Sequence, residues 1–354
     1  MKLLSSFEYD NIPKAVRLHP TLEMIGVLSR TGGCILQWDL SGRLRQLSAF
    51  RSESADRVYT DIAFPDQSAR FVTSGRRDVI VVRDVSNGVV LDKLGSLSGD
   101  EFDGYGSLLF LDQVLFAASP ARQHTEIYDL DSRRIVKQLY GPMQRFQLHP
   151  ERQVVTFLLI EDGQSPLGFL SVASSPRCYR TICDSLHELT AYAFGPDGTN
   201  IVMLGETDGQ FHVFAFLFPT FQLLHQESAP IPDEVLAADA PITSNRLVFA
   251  PGGTRFLCPR PDGSVTEQET LTGREIRAWK CHEGPIASMD VRYDSRLLVT
   301  AGVDCRVKLW QLDYKEALVV PSGTHVTDEF VGLTELLADQ YTWRDFDRRR
   351  IINS

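Results

Sequence analysis

The chain has 354 residues, of which 43% are apolar, and carries a formal charge of −10. That balance argues against non-specific nucleic-acid binding, and no apolar run approaches the ~18 residues of a membrane span. The length is long for one ordinary core and normal for a closed array of repeats.

The first ten residues, MKLLSSFEYD, lack the apolar core of a signal peptide. Lys2 to Phe7 reads instead as a strand detached from the next one along the chain. From there a turn of the Pro-Asp-Gly type, or its equivalent, recurs at Pro20, Pro65, Leu111, Pro150, Pro196, Pro251 and Tyr293. Successive spacings are 45, 46, 39, 46, 55 and 42 residues. Each anchor follows an alternating apolar strand, such as AVRLHP, DIAFP or RFQLHP, and precedes a second apolar run, such as MIGVL or NIVML. A third strand is visible in most units. Cys34 to Asp39 ends in a Trp-Asp pair, Tyr128 takes the Trp place in unit three, and Phe214 takes it in unit five. Units four (Leu167 to Val172) and six (Ser264 to Gln268) are degenerate.

The clearest unit is the last, KCHEGPIASMDVRYDSRLLVTAGVDCRVKLWQL, from Lys280 to Leu312. Three short alternating runs joined by turns make a meander, which cannot bury both of its faces without neighbours. This stretch resembles one WD40 repeat, and the seven-fold spacing near 45 residues is similar to the blade length of that family. The resemblance implies an all-β fold, a seven-bladed β-propeller of four-stranded antiparallel blades, to which the residues beyond it add a short C-terminal helical extension. It implies that His282, Thr300, Asp304 and Trp310 form a structural hydrogen-bonded tetrad. It also implies that the last blade takes its outer strand from the N-terminus, so residues 1–8 close a propeller domain of residues 1–312. Glu316 to Val320 is the alternative closing strand. By alignment to the last unit, Trp38 lies six and ten residues after Gly32 and Leu28, so its tetrad positions are empty.

Residues 313–354 form the extension. Thr327-Asp328 can cap a helix over 328–341, with Phe330, Leu333, Leu337 and Tyr341 on one stripe. That helix either packs on the ring or binds a partner, since Trp343, Phe346 and Arg348 to Arg350 lie just beyond it.

No catalytic constellation stands out. GxSxG, HExxH, P-loop and dinucleotide patterns do not occur. The acidic run Gly99 to Gly104 lacks the spaced ligands of a calcium loop, and reads better as a solvated loop. Six cysteines, at Cys34, Cys178, Cys183, Cys258, Cys281 and Cys305, are scattered as in a reducing compartment. A Cys178–Cys183 disulfide or ligand pair is the alternative there. No cofactor or metal is expected, and the location expected is cytoplasmic. The family resemblance implies a non-catalytic protein-interaction scaffold, a monomer or a subunit of a hetero-complex, with its partner on the narrow face. The alternative is a propeller hydrolase or lyase with a site in the central channel. Reading the turns between second and third strands by alignment gives Arg30, Arg76, Arg77, Arg122 and Arg260 as candidate partner-binding residues. Glu161-Asp162 and Glu206 to Asp208 occupy the matching places in units four and five. Arginine pairs bidentately with carboxylate or phosphate, so the expected partner segment is acidic or phosphorylated.

Overall fold

An alternating strand buries one face only when another layer covers it, and seven sheets set side by side do this in a ring. The computed structural model describes residues 1–52, 58–65, 68–76, 79–95, 104–111, 114–119, 124–140, 143–149, 154–159, 167–171, 178–181, 189–207, 209–218, 220, 222–231, 247–292 and 296–314. Strand β1 (Lys2–Glu8) stands apart from its neighbours in sequence. Blade one is β2 (Pro13–Leu18), β3 (Met24–Ser29), β4 (Gly32–Trp38) and β5 (Leu44–Arg51). Blade two is β6 (Val58–Ala63), β7 (Arg70–Arg76), β8 (Ile80–Asp84) and β9 (Val90–Leu94). Blade three is β10 (Ser107–Leu111), β11 (Val114–Ser119), β12 (His124–Asp129) and β13 (Arg134–Tyr140). Blade four is β14 (Met143–Leu148), β15 (Val154–Leu159), β16 (Leu167–Ser171) and β17 (Cys178–Thr181). Blade five is β18 (Leu189–Phe194), β19 (Asn200–Thr207), β20 (Gln210–Leu217) and β21 (Gln222–Pro230). Blade six is β22 (Val248–Phe249), β23 (Arg255–Pro259), β24 (Ser264–Glu269) and β25 (Glu275–Lys280). Blade seven is β26 (Ile286–Arg292), β27 (Leu297–Gly302) and β28 (Arg306–Gln311), with β1 as its fourth strand.

All seven sheets are antiparallel meanders, which makes the chain a seven-bladed β-propeller. The first strand of each blade is the inner one. β2 touches β6 and β26, β6 touches β10, β10 touches β14, and β18, β22 and β26 continue the ring. An up-and-down meander puts the start of its first strand and the turn between its second and third strands at the same end, here termed the upper end. The apolar cores lie in the seams between blades, as for Val299 and Leu309 of blade seven against Val16 and Val27 of blade one.

Register corrects two readings made from side-chain type. In blade seven, Trp310 is opposite Leu298, the second residue of β27. The same place is Leu36 in blade one and Phe216 in blade five, not Trp38 and Phe214. Trp38 corresponds to Leu312, one step past the ladder: each backbone N–H bonds the carbonyl just ahead of the second strand, Glu23 and Arg296 respectively. Tyr128 of blade three does hold the Trp310 position. A break in the ladder between third and fourth strands marks that position in six blades, at Leu36, Arg83, Tyr128, Phe216, Gln268 and opposite Trp310. The bulge therefore keeps the repeat where the aromatic has been lost.

Other polar sets do the tetrad's work elsewhere. In the seam of blades two and three, buried Glu126 accepts from Tyr105 Oη at 2.5 Å and from Tyr128 Oη, and meets His124 Nε2 at 3.2 Å. Burial pushes this carboxyl up, but His124 and the two hydroxyls outweigh it and hold it at about 2. His19 and His149, each directly before an anchor proline, are staples between blades. His19 Nε2 donates to the Ser68 carbonyl at 3.1 Å while its Nδ1 accepts from the backbone of Thr21 and Leu22. His149 Nε2 reaches the Gly198 carbonyl at 3.3 Å, and burial pushes its pKa down to about 4. Glu126 and His149 both have folded pKa values below their ordinary ones, so both contribute stability at neutral pH that is lost in acid. The His149 share is lost as pH falls from 6.5 toward 4, and the Glu126 share as it falls from 4.5 toward 2. Melting temperatures across that range should show both windows. His149→Gln should flatten the first and Glu126→Gln the second; unchanged slopes would remove these groups as the cause.

The chain does not leave the ring at residue 312. Tyr314 is buried in the seam of blades six and seven, its carbonyl takes a hydrogen bond from Arg296, and Arg277 lies 5.9 Å from its ring. The helix expected over 328–341 and the alternative strand at Glu316 to Val320 lie outside the described residues, as do Cys183 and the acidic run's residues 99–103.

Candidate functional site

Blade seven builds its tetrad from three directions. His282 sits in the loop entering β26, Thr300 in β27, Asp304 in the turn after it, and Trp310 in β28. Trp310 Nε1 donates to Thr300 Oγ1 at 2.9 Å, and Thr300 Oγ1 is 2.8 Å from His282 Nε2. His282 Nδ1 is 2.8 Å from Asp304 Oδ1, which also accepts from the Arg306 backbone at 3.2 Å. With Nδ1 donating to the carboxylate, Nε2 is left to accept from the Thr300 hydroxyl, so one direction of donation runs from indole to Asp304. Burial pushes the His282 pKa down and keeps the imidazole neutral. A Cβ on Gly302 would come within 2.5 Å of the His282 ring, so only glycine fits beside it. The set pins a loop to a turn; it offers no open position to a ligand.

The candidate arginines of the upper turns fare differently. Arg30 is exposed in the turn after β3. Arg76 is the last residue of β7 rather than a turn residue, and Arg77 and Arg122 lie outside the described residues. Arg260 is in its turn, but it is taken up by a neighbouring blade. Its Nη2 donates to both oxygens of Glu227 of β21, at 2.8 and 3.0 Å, and its Nε to Thr266 Oγ1 at 3.1 Å. Its guanidinium also lies 5.6 Å from the centre of the Phe211 ring. It is an inter-blade staple and leaves no free cation on the turn. Glu206 and Thr207 likewise end β19 and do not form the turn.

A different place gathers polar groups. Ala15 and Arg17 of β2, Thr60 and Asp61 of β6, Gly106 and Ser107 at β10, and Gln144, Arg145, Phe146 and Gln147 of β14 line one cavity of about 170 Å³. Inner strands of four successive blades meet at one cavity only along the ring axis, so this is the central channel, toward its upper end. Asp61 is held tightly. Its Oδ1 accepts from Arg17 Nη2 at 3.1 Å and from the Ile62 backbone at 2.9 Å, and its Oδ2 from the Leu108 backbone at 3.0 Å. The same device recurs across the blade seven to one seam, where Ser288 Oγ and Asp290 Oδ2 accept from the Val16 and Leu18 backbones at 3.2 and 2.9 Å. The sequence shows these groups as isolated polar interruptions of apolar strands; their convergence depends on ring closure. Among the described residues no group of His, Cys, Asp and Glu could hold a metal ion.

Comparison with known proteins places these features. A family model described as "WD domain, G-beta repeat" matches residues 273–311, running from the outer strand of blade six through the third strand of blade seven. One chain of a structure titled "Crystal Structure of Mitotic Checkpoint Complex" is similar to this one, with a TM-score of 0.67 and 14% identity over 88% of this chain and 92% of that one. Matches to 1666 solved chains make the fold a common one, so the fold by itself carries no particular activity. No curated protein matches the chain by sequence.

Proposed function

Because this chain is a WD40-repeat β-propeller, we propose that it is a non-catalytic scaffold that receives a protein partner on the upper end of the ring. The observation that carries this reading is the channel mouth. It lies toward the upper end of the inner strands and offers hydrogen-bonding groups held on them: Arg17, Thr60, Ser107, Gln144 and Arg145. The one carboxylate among the described lining residues, Asp61, already accepts from a guanidinium and two backbone amides, which favours binding over acid–base chemistry. The chain of similar fold comes from a structure whose title names a complex, and this supports a protein as partner. Free cysteines at Cys34, Cys258, Cys281 and Cys305 support an intracellular, reducing location.

The test is capture by the full chain from lysate, followed by cross-linking and mass spectrometry of the complex. Cross-links to the partner should cluster at Lys14 and the upper turns. Reversing Arg76 and Arg77 to Glu should weaken capture, more so at low salt than at moderate salt. Cross-links confined to residues 315–354, with capture unchanged by the double reversal, would move the partner to the C-terminal extension.

A further inference from the structure

The seams between outer strands are not all alike. Four residues after the third strand ends, blades two and six carry Gly88 and Gly273, with φ of 73° and 69°. That position lies against the outer strand of the preceding blade. A Cβ on Gly88 would come within 2.9 Å of the Ala49 carbonyl of β5, and one on Gly273 within 2.5 Å of the His225 ring of β21. In blade three the same place is taken by Arg133, with φ of 57°. A residue bearing a Cβ rarely adopts this backbone. Where the glycines let their blades close up, the arginine borders a cleft of about 230 Å³ between blades two and three, at the end of the ring opposite the upper turns.

The cleft has an apolar floor and a charged rim. Val82, Leu94 and Leu130 are buried beneath it, and Leu91 stands 49% exposed at its side. Val89, Leu91, Ile135 and Val136 are four of the ten large hydrophobics exposed among the described residues, and all four lie on β9, on β13 or in the turn before β9. Ile135 is opposite Tyr128, which belongs to the core shared with blade two, so Ile135 is on the cleft side of β13. Such a gathering, unlike scattered exposure, marks an interaction surface. At the rim, Arg133 Nε meets Asp92 Oδ2 at 3.2 Å, while the other oxygen of Asp92 accepts from the Lys93 backbone at 2.9 Å. Arg70 is exposed and makes no hydrogen bond or ion pair among the described residues. An ion pair whose arginine is 68% exposed contributes little to stability and does not offset a left-handed backbone. Strain left uncompensated in this way concentrates at ligand clamps.

We propose that the cleft between the outer strands of blades two and three docks an extended segment of a protein partner, seating a Leu or Ile side chain on Leu91, Leu94 and Leu130 and a flanking Asp or Glu against Arg70 and Arg133. This is a second surface, on the side of the ring, and it does not depend on a partner at the upper end. Two guanidinium groups and one carboxylate line the cleft, and that carboxylate is already engaged, so the complementary segment is acidic. β9 and β13 are the last strands of their sheets, so an extended segment also meets strand edges there. The volume of about 230 Å³ suits one or two side chains rather than a packed helix.

The test uses the full chain and a fluorescein-labelled peptide in which Glu and Leu alternate, followed by anisotropy. Alternation lets the leucines face the cleft in any register while the glutamates reach its rim. Replacing every Leu of the probe by Ser, or every Glu by Lys, should weaken binding by about tenfold or more. Arg133→Gly restores the residue that blades two and six use, so this variant should melt no lower than the wild type. It should still lose about tenfold in probe affinity, as should Arg70→Glu and Leu91→Asp. Arg30→Glu, in an upper turn, should change the affinity by no more than about twofold. Equal binding by wild type, Arg133→Gly and Leu91→Asp overturns the site, and equal binding of the Lys probe overturns the acidic assignment. A synthetic peptide of residues 326–347 that displaces the probe at lower concentration than the probe itself would make the chain's own extension the occupant and overturn the partner. Self-association of the wild type that Leu91→Asp abolishes would do the same in favour of a second copy.

Discussion

Removing residues 1–8 should lower the melting temperature by at least about 5 °C. The deletion strips β28 of its outer neighbour along Lys2↔Gln311 to Glu8↔Arg306 and leaves blade seven with three strands. It also removes Leu4 and Phe7, which pack against the core shared by blades seven and one. Two partly buried apolar side chains and several ladder bonds together amount to on the order of 4 kcal/mol. The bared edge of β28 is long enough to pair with another chain, so the truncated protein should also associate more as its concentration rises. Thermal melts with light scattering check both effects. A truncated chain that melts with the full one and stays dispersed would show that β1 contributes little to closure, and that another segment covers the edge.

The second large effect is expected in the tetrad. Trp310→Phe removes the donor to Thr300, whose side chain is fully buried, and breaks the chain of bonds that runs through His282 to Asp304. Leaving a buried polar group without its partner costs about 1–3 kcal/mol. Trp38→Phe should cost less. Among the described residues the Trp38 side chain makes no hydrogen bond; it packs under the Arg292 guanidinium at 5.2 Å. Such a contact is worth roughly 0.5–1 kcal/mol, and a phenyl ring retains part of it. Denaturation midpoints of the two variants measure the difference. Equal losses would mean that the indole N–H of Trp310 is not contributing to the fold.

The two tryptophans also show where reading by residue type fails. Trp38-Asp39 looks like a repeat signature, yet it sits two residues past the Trp310 position. Phe214 is displaced by two residues from Phe216, which holds that position in blade five. Alternation tells which residues share a face, but a shift of two residues keeps the face and changes the place. Only the paired strand fixes the place, and the ladder break opposite Trp310 and its equivalents marks it.

The sequence by itself determined the number of blades and their inner strands, while the tetrad of blade seven was implied by the resemblance of that stretch to a WD40 repeat. Turn chemistry and period-two alternation are local, and they survive even where the aromatic signature has decayed. The closing role of Lys2 to Phe7 was implied by the family resemblance, and the strand pairs with β28. The tertiary structure alone decided which charges are clamped between blades and which gather in the channel. Arg260 reads as a turn cation and proves to be clamped on Glu227 of the adjacent blade, while Arg17, Asp61 and Arg145 read as interruptions of three apolar strands and meet in one cavity. Residues 128 positions apart, Arg17 and Arg145, become neighbours only because seven sheets close on an axis, and no local pattern encodes that closure.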